Sequence, residues 1–540
     1  MKFNIFFLTC LSFLLLLTGC SEKDFLNEES RSTLTADQLY TSPEGFEVAL
    51  NGLYSMFREF ERGNVPGSGT ETMMGRAISA STDYFYFPIV RNQEMPWVQW
   101  GTYMNSARSD ITAWFNYLYQ IVRAANTIIN RAESPEVQWG GDAQKNTVIA
   151  EARLIRAWSY RHLTYLWGDV PLVTEEISGS NFGNDWGRTP KVEIYDQMES
   201  DLLFAEEHLP SVQANAGSTS RATAQHYLSE LYLIKGRPDL AEAKAQAAID
   251  NPNYHLITER YGVRAGQPGV PFMDAFYDGN ALYSEGNTEV LWAIPFNRQV
   301  QGGSSNLMRR GWVLWYWQIK GTSVGFQTGG RGSGWYGITK QGLDLYEAQD
   351  DRASEYAIYR YVVKDNGDTV FTTTDPDKYM GAFQIGSFPE TAPDRPYNWP
   401  STKKWEDVFE ENLVADPGYK DQPYLRLAET YLLLAEAQHL QGKNDLAAEN
   451  INIIRRRSHA STINASQVSI DFILDERARE LFAEEHRRYT LLRLGRWLDR
   501  TKQYNDQSGP YVTERDTLYP IPQAVIDANL DKPFPQNPGW

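Results

Sequence analysis

The sequence predicts a mainly α-helical protein in which helical hairpins form a scaffold that carries a loop-rich, partly β inserted subdomain. Three observations support this fold class: apolar residues recur at helical spacing on both sides of the centre, a two-helix pattern occurs twice, and the centre differs in composition. With 540 residues, the chain is long enough to bury a large hydrophobic core.

Helical periodicity accounts for most of the chain outside its centre. The predicted helices span residues 44–60, 110–133, 143–167, 191–209, 220–235, 239–250, 422–441, 444–457 and 469–487. In the seventh of these, Leu425, Ala428 and Leu432 lie on one face, which gives the helix an apolar stripe.

A two-helix pattern occurs twice. Ala-x-x-Tyr-Leu begins at Ala224 and again at Ala428, and each copy is followed by Gly-x-x-Asp-Leu-Ala, which begins at Gly236 and at Gly442. Each glycine can end a helix in the left-handed conformation, and each aspartate can cap the next helix. The pattern is typical of a tetratricopeptide helical hairpin, with unrelated helical hairpins as the alternative.

The centre of the chain predicts loops and short strands. Residues 262–420 are rich in glycine, proline and aromatic residues, with β-prone runs at 289–296 and 355–363. The turn sequence at 365–368 predicts a hairpin that joins residues 361–363 to 369–371.

These patterns predict a single unit over residues 37–540. Its helical scaffold spans about 37–60, 110–261 and 421–540. Its loop-rich, ligand-binding regions span about 61–109 and 262–420.

The N-terminus has the features of a lipoprotein signal peptide. An apolar run from Ile5 to Leu17 is too short to span a bilayer, and it leads to Leu-Thr-Gly-Cys, which ends at Cys20. This motif resembles the bacterial lipobox. We therefore expect cleavage of residues 1–19, a lipid on Cys20 and a polar tether over 20–36. The other cysteine, Cys10, lies in the removed segment, so no disulfide is expected.

Composition narrows the class of ligand. The net charge of -18 argues against nucleic acid, because phosphate binding requires a basic surface. Aromatic residues make up 13% of the chain, with 16 Trp and 31 Tyr, which is more than a core of this size needs. Surface aromatics commonly serve recognition, and a neutral ligand fits the charge balance.

Several segments resemble the SusD/RagB family. They are 152–160, 166–173, 425–431, 435–437, 451–457, 475–488, 518–522 and 536–540, and they follow the family's order. The resemblance implies tetratricopeptide-like units packed on a variable loop-rich region. It also implies a non-enzymatic lipoprotein on the exterior of the outer membrane, which captures polysaccharide or oligosaccharide for a SusC-like TonB-dependent transporter.

Ligand residues are expected in the two loop-rich regions, because sugar rings stack on aromatic faces and hydroxyls bind polar side chains. The candidates for stacking are Trp97, Trp100, Trp315, Trp317 and Trp335, and those for hydroxyl contacts are Asp83, Arg91 and Asn92. If 312–318 is extended, Trp315 and Trp317 share one face. The alternative for each Trp is core packing, and for the glycine run 329–334 it is a mobile loop.

Two other functions stay open at this stage. The first is peptide binding by a member of the same family, and the second is a surface glycoside hydrolase, although no motif marks a catalytic carboxylate pair. No cofactor is expected. The glycine run 329–334 is not a phosphate loop, because it lacks the Gly-Lys-Ser/Thr that follows the spacer of that motif. Metal binding is undecided: Asp350, Asp351, Asp365 and Asp368 could ligate calcium or form solvated acidic turns.

Overall fold

The protein is described from a computed structural model that covers most of the chain after the tether. The described residues are 36–62, 74–90, 93–177, 186–378, 397–408, 413–414 and 418–540. The predicted signal peptide and Cys20 lie outside them. Within these ranges the structure confirms the mainly α-helical class, and no helix there is long and apolar enough to cross a membrane.

The scaffold helices occur in two parts of the chain. The first part contains α1 (Pro43–Arg62), α2 (Ser109–Ala132), α3 (Asp142–Trp167), α4 (Lys191–His208), α5 (Arg221–Ile234) and α6 (Pro238–Ile249). The second contains α7 (Leu427–Leu440), α8 (Asn444–Arg457), α9 (Ile470–Glu480), α10 (Arg487–Arg493) and α11 (Trp497–Tyr504). The first six predicted helices and the eighth are confirmed, with ends within two residues of those expected.

Two predicted helices are wrong at one end. The predicted helix 422–441 begins only at Leu427, because residues Gln422–Arg426 form strand β6, which pairs antiparallel with β2 (Val290–Ile294). The predicted helix 469–487 ends at Glu480. Ala483 has a φ of +67°, a left-handed conformation that interrupts the helix before α10 begins.

Consecutive helices pack against each other along the scaffold. α2 packs on α3, α3 on α4, α5 on α6, α6 on α7 and α7 on α8. Gly236 and Gly442 have φ values of +68° and +74°, as expected for glycines that end helices. Asp239 and Asp445 lie in the first turns of α6 and α8, where their negative charge interacts favourably with the helix dipole. Neither side chain forms an N-terminal cap. The tetratricopeptide character of these pairs stays a prediction.

Short strands hold the inserted regions together. β1 (Phe85–Tyr86) pairs antiparallel with β3 (Gly337–Ile338), which joins the two loop-rich regions. The predicted hairpin is confirmed, since β4 (Tyr361–Val363) pairs with β5 (Thr369–Phe371). Short helices connect these strands, including Met95–Val98, Trp100–Tyr103, Met308–Trp312 and the 3-10 turns Tyr316–Gln318 and Phe326–Thr328.

Buried ion pairs join the inserted region to the scaffold. Glu289, next to β2, accepts from Arg426 of β6 and, at 3.1 Å, from Nη1 of Arg457 in α8. Arg352, in the insertion, donates from Nη1 to Glu476 of α9 at 2.8 Å. Removing one partner from such a pair would leave a buried charge uncompensated, so these contacts fix the orientation of the insertion.

Candidate functional site

Trp315 and Trp317 form an aromatic pair at the surface of the inserted region. They lie around the 3-10 turn Tyr316–Gln318, so the segment is not extended as the sequence suggested. The segment nevertheless has a buried side and an accessible side. Trp312 and Tyr316 are buried, whereas Trp315 and Trp317 are only half-buried. The two tryptophans therefore share the accessible side.

The geometry of the pair is fixed by the glycine-rich segment beside it. The ring centroids of Trp315 and Trp317 are 5.8 Å apart and the rings are inclined by 63°. Nε1 of Trp317 donates to the carbonyl of Gly332 at 2.7 Å, and the hydroxyl of Tyr316 donates to that of Gly330 at 2.7 Å. Burial raises the pKa of Tyr316 to about 12, so this hydroxyl stays a neutral donor.

A small hydrophobic cluster lies beneath the pair and is separate from the main core. We call it the satellite cluster. Its buried members are Ile89, Val313, Leu314, Tyr316, Ile319, Tyr359, Val362, Val370 and Tyr397. Trp315 packs against Tyr397 with centroids 5.7 Å apart and the rings at 77°. The tryptophans thus rest on a packed floor while part of each ring remains accessible, which suits an apolar face of a ligand.

Two arginines lie over tryptophan rings in this region. The guanidinium of Arg331 lies 4.8 Å from the ring centroid of Trp317, and that of Arg310 lies 4.8 Å from the ring centroid of Trp335. Both distances are within the range of cation–π contacts. Charged donors therefore stand directly beside the aromatic surface.

Trp97 and Trp100 lie in the main core, which corrects the expectation that they stack on ligand. Both side chains are 0% exposed. Trp97 packs on Trp114 at 5.3 Å, and Trp100 stacks on Tyr519 at 5.0 Å with the rings inclined by 17°. A ring covered in this way has no face left for a sugar.

Trp335 is also covered, by the side chain of Arg310, and is only 3% exposed. The glycine run before it is bonded to neighbouring backbone: the amide of Ser333 donates to the carbonyl of Arg310, and that of Gly334 to the carbonyl of Val313, each at 2.9 Å. Trp335 therefore belongs to the main core, which corrects its expected role as a stacking residue.

Asp83 is part of a buried ion-pair network, which corrects its expected role in binding hydroxyls. Its carboxylate accepts from Arg487 at 2.8 and 2.6 Å and from Arg500 at 2.7 Å. Burial alone would raise the pKa of Asp83, but the two guanidinium groups outweigh it and lower the pKa to about 2. Arg91 and Asn92 lie outside the described residues.

The acidic residues considered for calcium have other partners. Asp350 pairs with Arg352 at 2.8 Å, Asp351 bonds to His459 at 2.7 Å, and Asp365 accepts from Ser323 at 2.8 Å. Asp368 accepts from Asn366 at 2.9 Å. Within the part of the chain that the structure describes, no three His, Cys, Asp or Glu side chains are grouped as a metal site requires.

Three residues of the inserted region did not stand out in the sequence. Phe326 follows the tryptophan pair along the chain, and its side chain is 52% exposed. Tyr397 packs on Trp315, and Arg331 packs on Trp317. The position of Phe326 and Arg331 beside glycines was the available signal, whereas the contact of Tyr397 depends on a distant part of the chain.

The fold and the site together describe a helical scaffold protein whose accessible aromatic surface lies on inserted loops. Residues 288–540 match the model of the SusD family, and residues 24–233 match that of a family described as starch-binding and associating with the outer membrane. The chain belongs to the SusD family.

Relatives agree with this assignment, two of them over nearly the whole chain and a third over about a quarter of it. SusD-like protein P2 of Formosa agariphila is 25% identical over 99% of each chain, and a SusD-like protein of Bacteroides ovatus is 24% identical over 93% of this chain and 84% of that one. The starch-binding protein SusD of Bacteroides thetaiotaomicron is 34% identical over 26% of each chain.

Solved structures show the same fold. A SusD homolog from Bacteroides thetaiotaomicron superposes with a TM-score of 0.73 at 19% identity, over 95% of this chain and 100% of that one. A laminarin-binding SusD-like protein superposes with a TM-score of 0.70 at 20% identity, over 92% of this chain and 99% of that one.

Proposed function

We propose that this protein binds a polysaccharide or oligosaccharide at the Trp315–Trp317 pair and does not cleave it. The observation that carries the proposal is that two tryptophans remain half-buried on a packed floor of their own, whereas Trp97 and Trp100 are fully covered. An accessible aromatic surface of this kind marks a recognition site.

The physical properties of the pair suit a sugar. The C–H faces of a pyranose ring can pack on an indole, and tryptophan provides a large flat surface while losing little rotamer freedom. The inclination of 63° between the rings offers two differently oriented surfaces, which favours a bent or helical chain over a flat one. The site also lies on loops held by a rigid scaffold, where binding residues concentrate.

Relatives support a glycan as the ligand class. One matched relative is named a starch-binding protein, one superposed structure is named as laminarin-binding, and one family that the chain matches is described as starch-binding. These names belong to other proteins, and a shared fold does not determine which sugar is bound.

The proposal includes the place where binding occurs. The protein acts at the outer surface of the outer membrane, anchored by a lipid on Cys20, and delivers glycan to a SusC-like TonB-dependent transporter. The lipobox-like motif and the family membership support this part of the proposal. Cys20→Ala should release the protein from membranes, and mild-detergent purification of the native protein should recover a much larger β-barrel partner.

The binding proposal is tested by native gels that contain one polysaccharide each. We expect retarded migration in at least one gel, loss of retardation for Trp315→Ala and Trp317→Ala, and no effect of Tyr511→Ala, which removes an aromatic ring that is 42% exposed elsewhere. New reducing ends would favour a hydrolase. Binding of peptides alone would favour the peptide-binding alternative.

A further inference from the structure

We propose that the glycan is anionic, and that Arg331 binds a carboxylate or sulfate group on a sugar that packs against Trp317. The inference rests on the proposed function, because it names the ligand class for that same site. Uronic acids carry a carboxylate and sulfated sugars carry a sulfate, and both groups offer several negatively charged acceptor oxygens to a guanidinium. The proposal covers both ligands, and the experiment separates them.

The first observation is that the charge of Arg331 is held in place. Its guanidinium lies 4.8 Å from the ring centroid of Trp317. Its backbone amide donates to the carbonyl of Leu413 at 2.8 Å, and its Nη1 approaches the carbonyl of Val414 at 3.4 Å. The side chain is half-buried, so it has lost part of its freedom before any ligand arrives.

The second observation is that this charge is not neutralised. Among the residues that the structure describes, no carboxylate lies within ion-pairing distance of Arg331. Some arginines of the fold are paired, such as Arg426 and Arg487 inside it and the exposed Arg237, which pairs with Asp239 at 2.9 Å, but Arg331 belongs to a smaller group that is not. The net charge of -18 favoured a neutral ligand, but an arginine beside a binding surface, with no carboxylate partner among the described residues, provides a local site for an external anion.

A second arginine, Arg310, lies on a backbone segment next to that of Arg331. Arg310 lies over Trp335, and its carbonyl accepts from Ser333, two residues from Arg331. The backbone segments that carry the two arginines therefore run side by side next to the tryptophan pair. Guanidinium groups bind carboxylate and sulfate through paired, charge-assisted hydrogen bonds, and partial burial strengthens them by removing water.

Acidic groups of the same region oppose the inference less than their number suggests. Asp365 accepts from the hydroxyl of Ser323 at 2.8 Å, and the negative charge of Glu406 lies close enough to Tyr359 to help burial raise the pKa of that hydroxyl. The carboxylate of Asp365 is thus engaged with a neutral donor of the protein. Neither forms an ion pair with Arg331.

The experiment compares matched ligands and matched variants by calorimetric titration. The probes are polygalacturonate and its carboxyl-reduced form for carboxylate, dextran sulfate and dextran for sulfate, and every other polysaccharide that retards the protein in native gels. We expect an anionic polymer to bind and its neutral counterpart to bind at least about tenfold more weakly.

Arg331→Gln should remove that preference and weaken binding of the anionic polymer about tenfold or more. Arg331→Lys, which keeps the positive charge but not the paired donors of a guanidinium group, should lose less affinity. Arg237→Gln, an exposed arginine on the scaffold, is the control and should change nothing. A melt of each variant reports whether the fold is retained, and added salt should weaken only binding that depends on Arg331.

The outcomes separate the two proposals. Tighter binding of polygalacturonate than of its carboxyl-reduced form identifies a uronate ligand. Tighter binding of dextran sulfate than of dextran identifies a sulfated ligand. Binding of neutral polysaccharides alone, with loss in Trp317→Ala but not in Arg331→Gln, overturns the anionic ligand and leaves the proposed function intact. Failure to bind any polysaccharide overturns both.

Discussion

Replacing Asp83 by alanine should destabilise the protein severely without affecting glycan binding by the folded fraction. The carboxylate is buried and accepts three hydrogen bonds, two from Arg487 and one from Arg500. These contacts connect the first loop-rich region to α10 and α11. Their loss would leave guanidinium charge buried without its partner.

The magnitude follows from the same contacts. Breaking one side of a buried ion pair typically costs about 3–5 kcal/mol. Arg487 keeps Glu485 at 3.2 Å, and Arg500 keeps Asp471 at 3.1 Å, so we place the cost near the lower end, at about 3 kcal/mol. The lowered pKa of Asp83, about 2 against about 3.9 for an unfolded aspartate, agrees with a stabilisation of about 2.5 kcal/mol at neutral pH.

The assay is denaturant unfolding of Asp83→Ala and Asp83→Asn at pH 7 and at lower pH. The contribution of the carboxylate is present above pH 4 and is lost as the pH falls from about 4 towards 2, so the difference from wild type should shrink in that window. Asp368→Asn, an exposed change in the hairpin turn, is the control. Unchanged stability of Asp83→Ala, combined with lost glycan affinity, would refute this reasoning and return Asp83 to the binding site.

Three further changes test other parts of the structure. Burial lowers the pKa values of His162, His226 and His486, to about 3 for His226. The free energy of unfolding should therefore be highest above pH 6.5 and should fall on acidification by up to about 1.4 kcal/mol per pH unit for each histidine, which thermal melts at several pH values would follow. Burial raises the pKa of Glu151 to about 7, so Glu151→Gln should stabilise the protein at pH 8 by about 2–4 kcal/mol. The effect should be small at pH 4, where the carboxyl group is protonated in the folded protein and mostly protonated in the unfolded chain; equal effects at both pH values would contradict the assignment. Trp97→Ala should cost about 3–5 kcal/mol in unfolding free energy, because it empties a fully buried site.

The sequence was a good guide to the scaffold, because helix formation leaves local signals. Apolar spacing and the glycines at 236 and 442 located helix ends to within two residues. It failed at Gln422–Arg426, whose residues satisfy a helical pattern but pair with β2, more than a hundred residues earlier in the chain. Pairing across such a distance leaves no periodic signal in either segment.

Which candidate residues are accessible was predicted only in part, for a related reason. Both Trp97 and Trp317 lie in irregular stretches rich in aromatic residues, so local sequence does not distinguish them. Trp97 is covered by α2 and by the C-terminal region, through Trp114 and Tyr519, whereas Trp317 is left half-buried on the satellite cluster. Whether an aromatic ring is core or surface is decided by packing against distant segments, which only the structure provides.

The most direct test of the central claim is calorimetric titration of a bound glycan into wild type and into a variant with both Trp315→Ala and Trp317→Ala. Truncating an aromatic contact at a binding hot spot typically costs about 2 kcal/mol or more, so we expect at least a roughly thirtyfold loss of affinity. The melting temperature should change little relative to Trp97→Ala, because the two rings are half-buried and lie outside the main core. Full affinity in a folded double variant would contradict the claim that this pair is the glycan site.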